Sequence, residues 1–166
     1  MVDLPQRKSL RLEGYDYSHN GLYFITICTF NRQNIFSEIA DGRTGITCQL
    51  TVYGEILDDY VNRISEWRPS VQITDYVIMP NHLHMIIWLS DIDEAECIAK
   101  RSQISNIVGY LKMQVSKKIH EISPVQSVWQ RNYHDHIIRN CEEYNKIARY
   151  IAENPQRWQY DMLYCK

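Results

Sequence analysis

Two apolar runs, Val71-Gln-Ile-Thr-Asp-Tyr-Val-Ile-Met79 and His82-Leu-His-Met-Ile-Ile-Trp-Leu89, are separated by Pro80-Asn81 alone. Both are rich in β-branched and aromatic residues and read as strands. A parallel neighbour would need a crossover of about a dozen residues or more, so a two-residue link forces an antiparallel hairpin. This excludes an all-helical bundle and an all-parallel sheet. It also sorts the second strand by face: residues 82, 84, 86 and 88 point one way, and 83, 85, 87 and 89 the other.

The rest of the chain supplies partners for that hairpin. Gly21-Leu-Tyr-Phe-Ile-Thr-Ile-Cys-Thr-Phe30 reads as a buried strand. Residues 41–53 read as a loop or small hairpin. From Gly54, Ile56, Leu57, Tyr60, Val61, Ile64 and Trp67 recur at helical spacing until Pro69. Residues 90–96 hold four acids and read as a solvated loop. A second helix is predicted from Ile104 to Ile119, and a fourth strand from Tyr133 to Arg139. Asn140 then caps a helix, with Glu143 at capping-box spacing. That helix should end near Asn154-Pro155, because a residue before proline is pushed out of the α region. The order β-α-β-β-α-β-α predicts an α+β ferredoxin-like sandwich, an antiparallel sheet with helices on one face. No linker or repeat divides the chain, so residues 1–166 are read as a single domain, with 1–20 as an irregular N-terminal arm.

Composition narrows the chemistry. The five cysteines form no Cys-x-x-Cys pair, which excludes a zinc ribbon or thioredoxin-type motif. The six glycines form no phosphate-cradling loop, and neither a Gly-x-Ser-x-Gly elbow nor a His-Glu-x-x-His helix is present. The start carries no basic segment followed by an apolar one, and the longest apolar run is about half a membrane span. The expectation is a soluble, cytoplasmic protein with no membrane partner. A net charge of -2 excludes a globally basic nucleic-acid coat. Charge is uneven, however: residues 101–150 hold eight Lys/Arg against four Asp/Glu, a net +4. Aromatic residues are interleaved there. Phosphates favour Lys and Arg, and splayed bases favour aromatic faces. Lys112, Lys117, Lys118, Arg131 and Arg139 are the candidate phosphate contacts, and Tyr110, Trp129 and Tyr133 the candidate stacking residues.

His82 and His84 share one face of their strand, about 7 Å apart, close enough to share a metal ion. His134 and His136 form a second such pair on the predicted fourth strand and compete for the ion. Tyr150 and Asn154 stand at i and i+4 on one helix face. A hydroxyl and an amide oxygen there could meet a histidine pair, one as nucleophile and one as third ligand. The alternative is a half-buried packing tyrosine and a helix-capping asparagine.

Met79-Pro-Asn-His-Leu-His84 followed by Met-Ile-Ile-Trp88 resembles the His-hydrophobic-His motif of the single-tyrosine HUH transposases. Val128-Trp-Gln-Arg-Asn-Tyr133, His136-Ile-Ile-Arg-Asn140 and Arg149-Tyr-Ile-Ala-Glu-Asn-Pro155 match later blocks in order. The Tyr-Ile-x-x-Asn-Pro context resembles the REP-associated tyrosine transposases, whereas the insertion-sequence branch usually has Gln where Asn154 stands. The opening Arg7-Lys-Ser-Leu-Arg11, Gly14-Tyr-Asp-Tyr17 and Tyr23-Phe24 also look like the REP-associated branch. The resemblance implies a ferredoxin-like catalytic domain that nicks single-stranded or hairpin DNA and transfers the strand through a 5′-phosphotyrosine. It implies Tyr150 as nucleophile and His82, His84 and Asn154 as ligands of a divalent metal. Mixed nitrogen and oxygen donors suit Mg²⁺ or Mn²⁺. Insertion-sequence relatives pair and some REP-associated ones are monomeric, so a homodimer is one expected partner. The alternatives are a transposase-derived binder of single-stranded or hairpin DNA without catalysis, and a zinc hydrolase, which lacks a general-base glutamate beside the histidines.

Overall fold

The computed structural model describes residues 20–42, 45–90, 103–124 and 127–164. Residues 1–19 of the expected arm and residues 91–96 of the expected acidic loop lie outside them. The described chain runs β1 (Gly21–Cys28), a 3-10 turn (Phe30–Arg32), β2 (Ser37–Gly42), β3 (Gly45–Leu50), α1 (Val52–Asn62) and α2 (Ile64–Trp67). It continues through β4 (Val71–Met79), β5 (His82–Leu89), α3 (Gln103–Ile122), β6 (His134–Ile138), α4 (Cys141–Glu153) and a 3-10 helix (Asn154–Tyr160). Four strands form one antiparallel sheet in the order β4-β5-β1-β6. This is the ferredoxin-like arrangement, with β2 and β3 inserted as a separate hairpin between β1 and α1. Among the described residues, no helix is long and apolar enough to cross a membrane.

Alternation along the strands divides the sheet into two working faces. Tyr23, Ile25 and Ile27 of β1 and Leu83, Met85, Ile87 and Leu89 of β5 point into the main core. Leu57 and Val61 of α1 and Ile104, Ile107, Leu111 and Val115 of α3 close that core from above. These two helices cover one face, as the element order requires. The other face carries a smaller cluster in which Ile86 and Ile138 meet Ile151 of α4, with Phe24, Val77 and Ile147 packed around them. The last helix therefore lies across the side of the sheet that α1 and α3 leave free.

The Pro80-Asn81 turn pairs Met79 with His82. Proline holds φ negative, and Asn81 has no positive φ either. The turn therefore lacks the left-handed residues that usually close a two-residue hairpin. Neighbouring backbone holds it instead. The Pro80 carbonyl accepts from the N–H groups of Ile35 and Phe36 at 2.9 and 3.0 Å, and the Asn81 carbonyl accepts from the Thr29 N–H at 2.9 Å. The Thr29 hydroxyl also donates to the Asn81 carbonyl, at 3.1 Å.

At the start of α4 the Asn140 side chain accepts from Glu143 N–H at 2.8 Å, the expected cap. The returning half of the box is displaced by one residue: the Glu143 carboxylate accepts from Arg139 N–H at 2.8 Å, ahead of the cap. The far end of α4 departs from expectation more. The α ladder stops at Glu153, but Asn154 keeps helical angles (φ -57°, ψ -42°) despite preceding a proline. Pro155 has no N–H to give the ladder, and the chain tightens into 3-10 turns through Tyr160 rather than leaving the helix.

Helix α4 is also tied down by a polar bond, from the Tyr144 hydroxyl to Asp75 Oδ2 at 2.6 Å. Asp75 stands at a register shift of β4. Tyr144→Phe should lower unfolding stability by about 1 kcal/mol, the scale of one partly exposed hydrogen bond. An unchanged urea midpoint would mean that the apolar face of α4 alone holds the helix.

Candidate functional site

Strand β5 presents His82 and His84 on the face covered by α4, at 0% and 3% exposure. Their ring centroids are 4.4 Å apart. Thr26 and Cys28, on the neighbouring strand, stand opposite His84 and His82. The Thr26 hydroxyl lies 2.8 Å from His84 Nδ1, and Asn81 Oδ1 lies 2.8 Å from His82 Nδ1. Burial pushes both imidazoles down to about 3, assisted by the Arg32 guanidinium at His82. At His84 the ring of His82 adds to the effect and Asp161 opposes it. Both rings are therefore neutral at pH 7, the form that can donate a lone pair to a metal.

Helix α4 and its 3-10 continuation bring the other groups in. The Tyr150 hydroxyl is 3.3 Å from His84 Nε2 and 3.4 Å from Asp161 Oδ2. Asn154 Nδ2 donates to the same carboxylate oxygen at 3.3 Å. Tyr150 is 40% exposed. Its phenol is held above its ordinary value by burial and by the Asp161 charge, partly offset by a hydrogen bond with Asn154. These residues line a cleft of about 620 Å³ that also takes in Phe24, His134 and Arg157.

The four residues expected at the centre, His82, His84, Tyr150 and Asn154, thus come together. Asp161 joins them without having been anticipated. Its carboxylate and the two imidazoles offer ligand atoms within 4.8 Å of one another, the group of this kind found among the described residues. Two atoms in the same place are buried without a partner, His82 Nε2 and Asn154 Oδ1. Each has a lone pair to offer, and leaving one buried and unpaired costs about 1–3 kcal/mol. The donor set of imidazole nitrogens, carboxylate and amide oxygen, together with these two orphaned atoms, fits a divalent cation. The competing pair has other employment: the His136 ring is bound to Glu143 at 2.6 Å, and His134 sits at the rim of the cleft.

The expected nucleic-acid contacts lie in more scattered surroundings. Lys112 Nζ is spent on the carbonyls of Gln130, Arg131 and Asn132 at 2.8, 3.4 and 3.1 Å, and burial lowers it to about 8. Trp129 is buried against Phe36, and its indole N–H donates to the Lys112 carbonyl. Tyr110 is stacked on Trp67 with centroids 3.8 Å apart, and Tyr133 bonds Ser105. Lys117 and Lys118 are exposed on α3, the helix on the far face, where Lys118 pairs with Glu121 at 2.7 Å. Arg131 is exposed in the loop held by Lys112. Arg139 is the member of the set that reaches the region of Tyr150. With Lys146 it lines a second cleft of about 730 Å³, which Tyr150 also borders.

No family model matches the chain. An uncharacterized protein of Haemophilus influenzae is 35% identical over 174 residues, covering 97% of this chain and 94% of its own. The REP-associated tyrosine transposase of Escherichia coli K12 is 23% identical over 139 residues, covering 84% of this chain and 68% of its own. The solved structure of a REP-associated tyrosine transposase bound to a REP hairpin superposes with a TM-score of 0.62 at 21% identity, covering 89% of this chain and 74% of that one. The chain thus shares its fold with that solved structure. In sequence the chain is similar to REP-associated tyrosine transposases.

Two neutral buried histidines carry a pH signature. Their folded values lie near 3, below the ordinary 6.5, so the unfolded chain binds more protons in that window. Stability of the metal-free protein should be full above pH 6.5 and fall as pH drops toward 3. The slope should reach up to about 2.7 kcal/mol per pH unit for two protons. Urea midpoints across pH 4–7 measure it. The double variant His82→Gln/His84→Gln should flatten the slope, and an equally steep slope in that variant would assign it to other groups.

Proposed function

We propose that this protein nicks single-stranded DNA beside a hairpin and transfers the strand through a transient 5′-phosphotyrosine on Tyr150. The observation that carries the reading is the Tyr150 hydroxyl, half-exposed at a cleft and 3.3 Å from a buried histidine that shares its face with a second. Support from relatedness comes from the E. coli transposase and from the solved relative bound to a REP hairpin. His82, His84 and Asp161 would hold a divalent metal, Mg²⁺ or Mn²⁺, with the Asn154 amide oxygen turned toward it. Such an ion, when bound, supplies charge neutralisation at a phosphodiester.

The chain's own residues provide orientation and a path for the proton. The Tyr150 oxygen attacks phosphorus, the bond from phosphorus to the 3′ oxygen breaks, and the 3′ oxygen leaves as a hydroxyl. The phenolic proton has the Asp161 carboxylate within reach. Phe24 meets the Tyr150 ring edge-on at 6.2 Å and the His84 ring at 5.2 Å, which limits the swing of the hydroxyl. One phosphoester replaces another, so the released 3′ hydroxyl can attack the phosphotyrosine and restore both the strand and the phenol. No nucleotide is consumed, which agrees with the absence of a phosphate-cradling glycine loop in the sequence.

Tyr150→Phe should abolish cleavage of an end-labelled hairpin oligonucleotide with single-stranded flanks, while leaving its DNA affinity near wild type. EDTA should stop the wild-type reaction, and added Mn²⁺ should restore it. Continued nicking by Tyr150→Phe would move the nucleophile elsewhere. Tight DNA binding without cleavage by the wild-type protein in Mn²⁺ would favour a transposase-derived DNA binder instead.

A further inference from the structure

Asn81 is fully buried beside the candidate metal site, and each end of its amide is engaged. The nitrogen donates to the Leu163 carbonyl at 2.8 Å and to the Arg32 carbonyl at 3.3 Å. Two carbonyl acceptors on one side leave no choice of amide orientation, so the oxygen must be the atom facing His82 Nδ1 at 2.8 Å. An oxygen acceptor requires that Nδ1 carry the proton. The lone pair of His82 is then on Nε2, the atom left buried without a partner.

The other end of the same amide reaches Asp161. Leu163, whose carbonyl Asn81 holds, donates its own N–H to Asp161 Oδ1 at 2.6 Å. Asp161 Oδ2 in turn meets Tyr150 and Asn154. Arg32, whose carbonyl Asn81 also holds, donates its guanidinium to the Met162 carbonyl at 3.3 Å. The segment Asp161–Leu163 has left the helix, so these side-chain bonds fix its carboxylate beside the histidines.

From this arrangement we infer that Asn81 is a positioning residue that sets two metal ligands at once. Its oxygen selects the His82 tautomer that turns Nε2 toward the ion, and its nitrogen anchors the segment that delivers Asp161. The inference rests on the metal-dependent reading above for its purpose, but the tautomer does not. Second-layer hydrogen bonds of this kind fix ring orientation and are typically worth about 10–100-fold in metal affinity.

The wild-type, metal-free protein gives the first test. Long-range ¹H–¹⁵N correlation spectra of ¹⁵N-histidine-labelled protein should show His82 protonated on Nδ1 and bare on Nε2. Protonation on Nε2 would overturn the inference without any variant. The second test uses Asn81→Asp, which keeps an oxygen toward His82 but sets a carboxylate against the two carbonyls. It should retain the His82 tautomer and still weaken Mn²⁺ binding, measured calorimetrically, by about 10–100-fold. On an Asp161→Asn background the same change should cost much less, because the segment it anchors no longer carries a carboxylate ligand. Wild-type Mn²⁺ affinity in Asn81→Asp, or full additivity with Asp161→Asn, would overturn the second half of the role. No Mn²⁺ binding by the wild-type protein, with the tautomer as stated, would sink the metal reading while supporting the hold of Asn81 on His82.

Discussion

Strand β5 lies between β4 and β1, with every backbone position paired on both sides along most of its length. Its side chains therefore have two destinations and no freedom between them. Leu83, Met85, Ile87 and Leu89 enter the core under α1 and α3. His82, His84 and Ile86 enter the space under α4, at no more than 3% exposure. A slip of one residue would put two imidazoles in the apolar core and four aliphatic side chains under α4. The main core thus fixes the register that presents the histidine pair.

From that register the electrostatics follow. Two imidazoles buried on one face lose the solvation that a proton would need and stay neutral, and each Nδ1 faces a polar partner at 2.8 Å. The site keeps unspent capacity, His82 Nε2 and Asn154 Oδ1, at a cost of about 1–3 kcal/mol for each buried unpaired group. Elsewhere such a cost is normally removed by packing or pairing. Here both atoms stand beside the Tyr150 helix and the Asp161 carboxylate, which is where a function that needs a cation would retain them.

Much of this was legible in the sequence, for local reasons. The two-residue Pro80-Asn81 link fixed the hairpin, the hairpin fixed the faces, and strand period 2 put His82 and His84 together. Helix period placed Tyr150 and Asn154 on one side of α4. Asp161 was not legible, because its position depends on how the chain passes Pro155. The pre-proline bias argued for leaving the helix, whereas packing of Trp158, 5.9 Å from the His82 ring, accompanies a 3-10 path back over the histidines. The surroundings of the expected stacking residues were not legible either, for the opposite reason. Composition registers an aromatic residue near basic ones but not which side of the sheet its helix covers. Tyr110, Trp129 and Tyr133 were all claimed by the α1–α3 side, through Trp67, Phe36 and Ser105.

The central claim is that the Tyr150 oxygen becomes the covalent carrier of the cleaved strand. The most direct measurement is mass mapping of the adduct. A hairpin oligonucleotide with single-stranded flanks is incubated with the protein and Mn²⁺, the mixture is denatured and digested with protease and nuclease, and the modified peptide is sequenced. The account predicts a residual nucleotide joined through its 5′ phosphate to Tyr150. An adduct on Tyr144 or any other tyrosine, or cleaved DNA with no protein-linked product, would contradict it.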